Sequence, residues 1–130
     1  MNRLSPEIVR MLRRVAILAV CLLSVLLVSC QTPYSLALGG TLTGNGTSGV
    51  TSVTLTELPA TLAVSGTYTV ESGRLTVVVI APDASRPFEE TYVQGASGTI
   101  DQELTPAIGE WVLQVTSDDA VGSYELRLNY

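Results

Sequence analysis

The chain has 130 residues and a formal net charge of −5, which leaves room for one domain. The charge is unevenly distributed, because residues 1–29 carry four arginines against Glu7, whereas the rest of the chain carries three arginines against eleven acidic residues, a net charge of −8. A field of this sign repels nucleic acid and bare anionic lipid, so we expect no nucleic-acid partner.

Residues 1–29 have the layout of a secretory signal. Arg13 and Arg14 precede an apolar run of 14 residues at positions 15–28. As a helix this run would be roughly 21 Å long, which is short for a hydrocarbon core of about 30 Å. We therefore favour a cleaved signal helix over an uncleaved anchor. Met11 would begin a compact signal of the same kind and is a possible true start.

The string Leu27-Val28-Ser29-Cys30 resembles a bacterial lipobox. The resemblance implies that the lipoprotein signal peptidase recognises Leu27, Val28 and Ser29, and that Cys30 is lipidated with acyl chains such as palmitate. Two or three acyl chains make a stable membrane anchor. The resemblance implies an extracytoplasmic protein and, if the organism has two membranes, favours the outer one, because Gln31 rather than Asp follows the cysteine. An ordinary cleaved signal is the weaker alternative.

Residues 30–34 are predicted to be the lipidated cysteine and a tether, and residues 35–130 a single antiparallel β-sandwich, jelly-roll-like or immunoglobulin-like. Short runs of Val, Thr, Leu and Tyr alternate with Gly, Pro, Asn, Asp and Ser, the pattern of an all-β domain. It predicts about eight short strands, near 35–43, 50–58, 61–71, 75–80, 90–95, 98–104, 111–116 and 124–130. With Cys21 in the signal and Cys30 lipidated, we expect neither a free thiol nor a disulfide in this domain.

Three elements carry the strongest patterns. Residues 39–52 fit either a flexible spacer or a hairpin, and we favour a hairpin of moderate order that turns at Asn45-Gly46. Residues 75–80 are apolar on both faces and predict a central strand, which ends before Pro82. Residues 111–130 predict a hairpin with one buried face, formed by Trp111, Leu113, Val115, Tyr124, Leu126 and Leu128, with its turn at residues 117–122.

This closing segment, from Gly109 to Leu128, resembles the end of bacterial pre-peptidase C-terminal domains. Their last strand has a Gly-aromatic-x-Leu-x-Val pattern and is followed by a polar turn and Gly-x-Tyr-x-Leu. Residues 74–83 resemble their middle strand, which ends in Pro-Asp. The resemblance implies a β-sandwich accessory module, in some cases calcium-bound or glycan-associated. The chain departs from that family because no peptidase is attached.

The chain has few of the side chains that nucleophilic catalysis needs, and we expect no enzyme activity. The chain contains no His and no Lys to activate a serine or threonine, and no cysteine after Cys30. Paired carboxylates could still hydrolyse glycosides, and the available pairs are Asp101 with Glu103 and Glu89 with Glu90. Asp101 and Glu103 lie on the same face of a predicted strand. An ordinary solvent-exposed strand face explains this arrangement as well as a catalytic pair does.

Loop acids are candidates for calcium, which needs only oxygen ligands. These are Asp83, Glu89, Glu90, Asp118 and Asp119, although ordinary turn chemistry explains them as well. No other cofactor is expected. Tyr34 and Tyr92 are the candidates for ligand contact, whereas Trp111 shares a face with Leu113 and is expected in the core.

The sequence favours a binding or structural accessory module for an envelope protein or a glycan. Recognition would use loops or an exposed sheet edge, whose unpaired backbone groups can accept a partner strand. The alternative is a small glycan hydrolase that depends on carboxylates.

Overall fold

A computed structural model describes residues 34–130; the predicted signal peptide, lipobox and Cys30 lie outside this range. The described residues form an all-β, antiparallel structure without a helix, so none of them belongs to a helix that could cross a membrane. There are five strands: β1 (Ser35–Leu55), β2 (Ala63–Ile80), β3 (Phe88–Val93), β4 (Ser97–Glu103) and β5 (Gly109–Asn129).

The five strands belong to one sheet in which β5 is central. The order is β1-β5-β2-β3, and β4 pairs with β2 as well. β2 has two different neighbours on its outer side, because residues 63–69 pair with β4 and residues 74–79 pair with β3. β1, β5 and β2 are long and run side by side over nearly their whole length.

Each of the three long strands contains an irregularity at about its middle. The register of β1 shifts at residues 44–46 and 47–49, and that of β2 shifts twice between residues 70 and 74. These positions lie at one level of the sheet, since Gly44 pairs with Ala120 of β5 and Ser72 pairs with Val121. β-Bulges of this kind bend a strand and increase its twist.

The bend in β1 is sharp. A Cβ atom on Gly49 would lie 2.8 Å from Cδ1 of Leu38, eleven residues earlier in the same strand. A straight strand would separate these two positions by about 36 Å. Tyr124 bridges the bend, because its hydroxyl donates a hydrogen bond of 3.0 Å to the backbone oxygen of Ser48. The strand therefore folds back on itself.

The irregularities also keep one face of each strand in the core. In β2 the buried residues are even-numbered before the bend, at Val64 and Val70, and odd-numbered after it, at Leu75, Val77 and Val79. An unbroken strand would send these two sets to opposite faces. β1 and β5 change parity in the same way. As a result, residues from both ends of the long strands enter one apolar cluster: Leu42, Leu55, Leu62, Val64, Val70, Leu75, Val77, Val79, Phe88, Ile100, Leu104, Trp111, Leu113, Val115, Ala120, Tyr124, Leu126 and Leu128.

Several predictions about individual strands are confirmed. Trp111 is 1% exposed and its indole nitrogen donates to the backbone oxygen of Ala107, as expected for a core residue. Residues 75–80 lie in β2 between β5 and β3, so they form a central strand, and Pro82 follows its end. Val78 is buried on the face opposite Val77 and Val79.

The prediction of about eight short strands is wrong, as are both predicted hairpins. The segments 35–43 and 50–58, predicted as separate strands, lie largely within the single strand β1. Residues 109–129, predicted to contain two strands and a turn, form the single strand β5. The two halves of β5 pair with β1 and β2 rather than with each other. The reason is that Gly, Asn and Asp at positive φ serve bulges as well as turns: Asp119 has φ 50° and Gly46 has φ 119°.

Gly73 tests the packing at the bend. Its φ is 70°, and a Cβ there would collide with backbone atoms of Asp118 and Asp119. We expect Gly73→Ala to lower the free energy of unfolding by at least about 2 kcal/mol, measured by urea denaturation, since strain and collision add. Gly95→Ala is the matched control, because its φ is 83° but a Cβ there has open space. A control loss of about 1 kcal/mol is expected, and equal losses would contradict the collision.

Candidate functional site

The sheet has two outer edges that differ in composition. One edge is β1, which pairs with β5 alone among the described residues. The other is formed by β3 and β4, each paired with β2. An outer edge presents backbone N–H and C=O groups that can pair with another strand. These edges are therefore the places where the fold can accept a partner by backbone hydrogen bonding.

The β1 edge contains no charged residue and no proline over its 21 residues. The first charge after Tyr34 is Glu57, beyond the end of the strand. Charged side chains and prolines are the usual means by which proteins protect an edge from pairing. The bulges near residues 44–49 do interrupt this edge, so it offers two regular stretches, residues 35–44 and residues 49–55.

The 49–55 segment is the better template of the two. Its sequence is GVTSVTL, in which Val50, Thr51, Val53 and Thr54 are β-branched and only the first residue is glycine. The 35–44 stretch contains three glycines. In the 49–55 segment Val53 packs against the core, whereas Val50 is 54% exposed on the opposite face. The segment is thus anchored by the core on one face, and no strand of residues 34–130 pairs with its outer edge.

The β3–β4 edge is protected by charge. Its strands carry Glu89, Glu90, Asp101 and Glu103, all exposed, and no basic residue. The two strands are also short, with six and seven residues. Short, charged edge strands resist pairing with another chain. The contrast with β1 therefore separates a protected edge from an unprotected one.

The acids proposed for calcium near β3 have partners of their own. Oδ1 of Asp83 accepts hydrogen bonds from the backbone N–H and the hydroxyl of Ser85, and these bonds lower the pKa of the Asp83 carboxyl. Glu89 forms an ion pair of 3.1 Å with Arg86. Glu90 accepts a hydrogen bond of 2.9 Å from the hydroxyl of Tyr92.

The two acids at the bend are paired as well. Asp118 forms an exposed ion pair of 2.7 Å with Arg74. Asp119 accepts a hydrogen bond of 2.9 Å from the side-chain amide of Asn45, which ties β5 to β1. Within residues 34–130, no three acidic side chains come together as a metal site. The structure thus disperses the five candidate ligands rather than gathering them.

Asp101 and Glu103, the proposed carboxylate pair, lie on one face of β4 and are both exposed. Their backbone partners in β2 are Ser65 and Ala63. Ile100, on the opposite face, is buried in the core. The pair is therefore part of the solvated surface of an edge strand.

The two tyrosines proposed for ligand contact each stack on another tyrosine. Tyr34 is 66% exposed, and its ring lies 6.1 Å from that of Tyr130, with backbone hydrogen bonds in both directions between the two residues. Tyr92 stacks on Tyr68 with ring centroids 3.8 Å apart. Burial, followed by the hydrogen bond to Glu90 and the charge of Glu90, raises the pKa of Tyr92 well above its usual range.

Sequence reasoning named a sheet edge in general but missed which edge. The signal was the absence of any charge or proline between residues 35 and 56, a feature visible in the sequence. It predicted that Tyr124 is buried, which the structure confirms, but it did not predict that this residue spans the bend. Burial raises the pKa of the Tyr124 hydroxyl, which donates to Ser48.

Comparison with known proteins identifies no family. No family model matches the chain, and no curated protein matches it. Among solved structures, the chain is similar to a protein of Bacillus endospore appendages that form disulfide-linked pili, with a TM-score of 0.40, 10% identity, and coverage of 76% of this chain and 86% of that one. It is also similar to a structure of infectious bursal disease virus Gx strain, with a TM-score of 0.37, 12% identity, and coverage of 77% and 32%. A third similarity is to the VP2 subviral particle of that virus, with a TM-score of 0.37, 13% identity, and coverage of 76% and 33%. The chain spans only about a third of each of these two viral chains.

The raised pKa of Tyr92 makes stability depend on alkaline pH. An unfolded tyrosine has a pKa near 10, so above about pH 10 the unfolded chain releases a proton that folded Tyr92 retains. The stabilisation is complete below about pH 10 and is lost as the pH rises further. We expect Tyr92→Phe to flatten the fall in the free energy of unfolding between about pH 10 and 11.5, measured by urea denaturation.

Glu90→Gln should flatten this fall in part, because it removes the carboxylate that holds the Tyr92 proton. Glu89→Gln is the control, since Glu89 pairs with Arg86 instead and should leave the slope unchanged. Equal slopes in all four proteins would contradict the assignment.

Proposed function

We propose that the chain is a bacterial lipoprotein whose mature part is a β-sandwich that binds an envelope protein through the edge of β1. The observation that carries the binding role is the contrast between the two edges. Four acidic side chains protect β3 and β4, whereas the 21 residues of β1 contain no charge and no proline. An unprotected edge in an otherwise strongly acidic domain is a surface suited to a partner strand.

The bent sheet supports a two-layer sandwich. One layer would contain the first halves of β1 and β2, β4 and the second half of β5; the other would contain β3 and the remaining halves. The single apolar cluster includes Ile100 from β4 and Phe88 from β3, so each of the two proposed layers contributes residues to the same core. Stacking of Tyr68 on Tyr92 joins the β4 side of β2 to β3 in the same manner.

The position of β1 fits an anchor at Cys30. The strand begins at Ser35, and the five residue-to-residue steps from Cys30 to Ser35 span at most about 18 Å when extended. A lipid on Cys30 would hold the first residues of β1 close to the membrane surface. The proposed binding edge would then belong to the element that directly follows the anchor.

A protein partner suits this edge better than a glycan does. The exposed groups of an edge are backbone donors and acceptors at the regular spacing of a strand, which another strand matches. Tyr34 and Tyr92, the two aromatic candidates for sugar stacking, already stack on Tyr130 and Tyr68. The lack of His and Lys, together with the scattered acids, favours binding rather than hydrolysis.

The anchor is tested by cysteine variants of the full chain. We expect Cys30→Ala to abolish incorporation of radiolabelled palmitate and to leave an unprocessed precursor, because the thiol is the lipid acceptor. Cys21→Ala is the matched control and should be labelled and processed like the parent. Normal cleavage and release of the Cys30→Ala variant would contradict the lipobox assignment.

The binding edge is tested by photocrosslinking in living cells. A photoreactive amino acid at Val50 of β1 is compared with the same amino acid at Val93 of β3; the two valines are 54% and 55% exposed. We expect protein adducts from position 50 in at least about tenfold excess over position 93, because β1 is the edge of the described sheet that carries no charged residue. Equal capture from both positions, or adducts with glycan alone, would contradict binding at this edge.

A further inference from the structure

The 49–55 segment of β1 also has the properties needed to pair with itself. It is uncharged, contains no proline, and consists mainly of β-branched residues, the composition that favours strand pairing. Its inward side chains are held by the core, as Leu55 is buried and Val53 packs against the cluster. The backbone of the edge is therefore presented in an extended, regular form.

Charge allows a second copy of this chain to approach at the β1 edge rather than at the β3–β4 edge of the described sheet. The described residues carry three arginines against eleven acids, so two copies repel each other over most of their surface. The repulsion is weakest where the uncharged β1 edges approach each other. The protected edge cannot serve, because pairing β3 or β4 with its own copy would bring Glu89, Glu90, Asp101 and Glu103 against the same acids.

We propose that residues 49–55 pair antiparallel with the same residues of a second copy, with Ser52 on the two-fold axis. This register uses the whole segment and places Val50 opposite Thr54 of the other copy. Both side chains lie on the outer face, where a β-branched cross-strand pair is favourable. The sheets of the two molecules then continue into one another.

This proposal rests on the proposed function and names the partner at the same edge. Two copies anchored in one membrane meet at a high effective concentration, which allows a short edge contact to associate. The interface is isologous, with the same residues on each side, so it closes at a dimer.

Disulfide trapping tests the register. The full chain carries Cys21→Ala and a single introduced cysteine, Ser52→Cys, and is oxidised mildly in membranes. Opposed residues of an antiparallel pair have Cα atoms about 4.5–5.5 Å apart, within the range of a disulfide. We expect at least about tenfold more covalent dimer from Ser52→Cys than from Ser97→Cys, an exposed serine on β4, and none from the parent chain without the introduced cysteine.

A second variant separates pairing from chance collision. In the Ser52→Cys chain, Val50→Glu should reduce the covalent dimer by about fivefold or more, since it adds a carboxylate to each edge and removes the Val50–Thr54 pair. Val93→Glu adds the same charge to the other edge, at a valine of matched exposure, and should leave the dimer unchanged. Circular dichroism of both variants verifies that they are folded.

Three outcomes would overturn the proposal: equal trapping at Ser52 and Ser97, equal effects of Val50→Glu and Val93→Glu, or a Ser52→Cys disulfide to a different protein. Palmitate labelling of the same samples keeps the two proposals distinct. Labelled protein without a Ser52 dimer contradicts self-pairing and leaves the anchor intact. A Ser52 dimer in unlabelled protein contradicts the anchor and leaves self-pairing intact.

Discussion

The structure depends on the alignment of three bends in neighbouring strands. β1, β5 and β2 each change the parity of their buried residues at the same level, near Gly44, Val121 and Ser72. Without that change, the apolar residues of one half of each strand would point to solvent. Because all three strands change together, the sheet folds over a single core, in which 18 of residues 34–130 are buried, none of them charged. A bend in one strand alone would break its pairing with the strand or strands beside it.

Polar side chains stabilise this bend from several directions. The hydroxyl of Ser117 donates to the backbone oxygen of Gly44, Tyr124 donates to Ser48, and the side chains of Asn45 and Asp119 bond to each other. Bulges leave backbone groups without ladder partners, and buried groups of this kind need other hydrogen bonds. The polar residues near the bend thus have a structural use, and this accounts for Asp119 without a bound metal.

The domain combines a strong negative charge with one neutral edge. The acids lie in β2, β3, β4, β5 and the loops, whereas β1 has none. Net charge keeps a protein soluble and repels other copies of it, and an uncharged edge is the place where that protection is missing. The same distribution underlies both proposals, one for a partner strand at β1 and one for a second copy as the source of that strand.

The sequence by itself determined the all-β class, the buried face of Trp111, Leu113 and Val115, and the central position of residues 75–80. These follow from the alternation of apolar residues, which is local. It also located the segments, since the predicted strands near 111–116 and 124–130 are the two halves of β5.

Only the tertiary structure decided that those halves form one strand. A Gly-, Asn- or Asp-rich stretch can reverse the chain or bulge it, and the choice depends on whether neighbouring strands flank both halves. The same distinction applies to the candidate site. The sequence shows that residues 35–56 carry no charge, but the strand order places these residues at an outer edge, and local patterns do not encode the strand order.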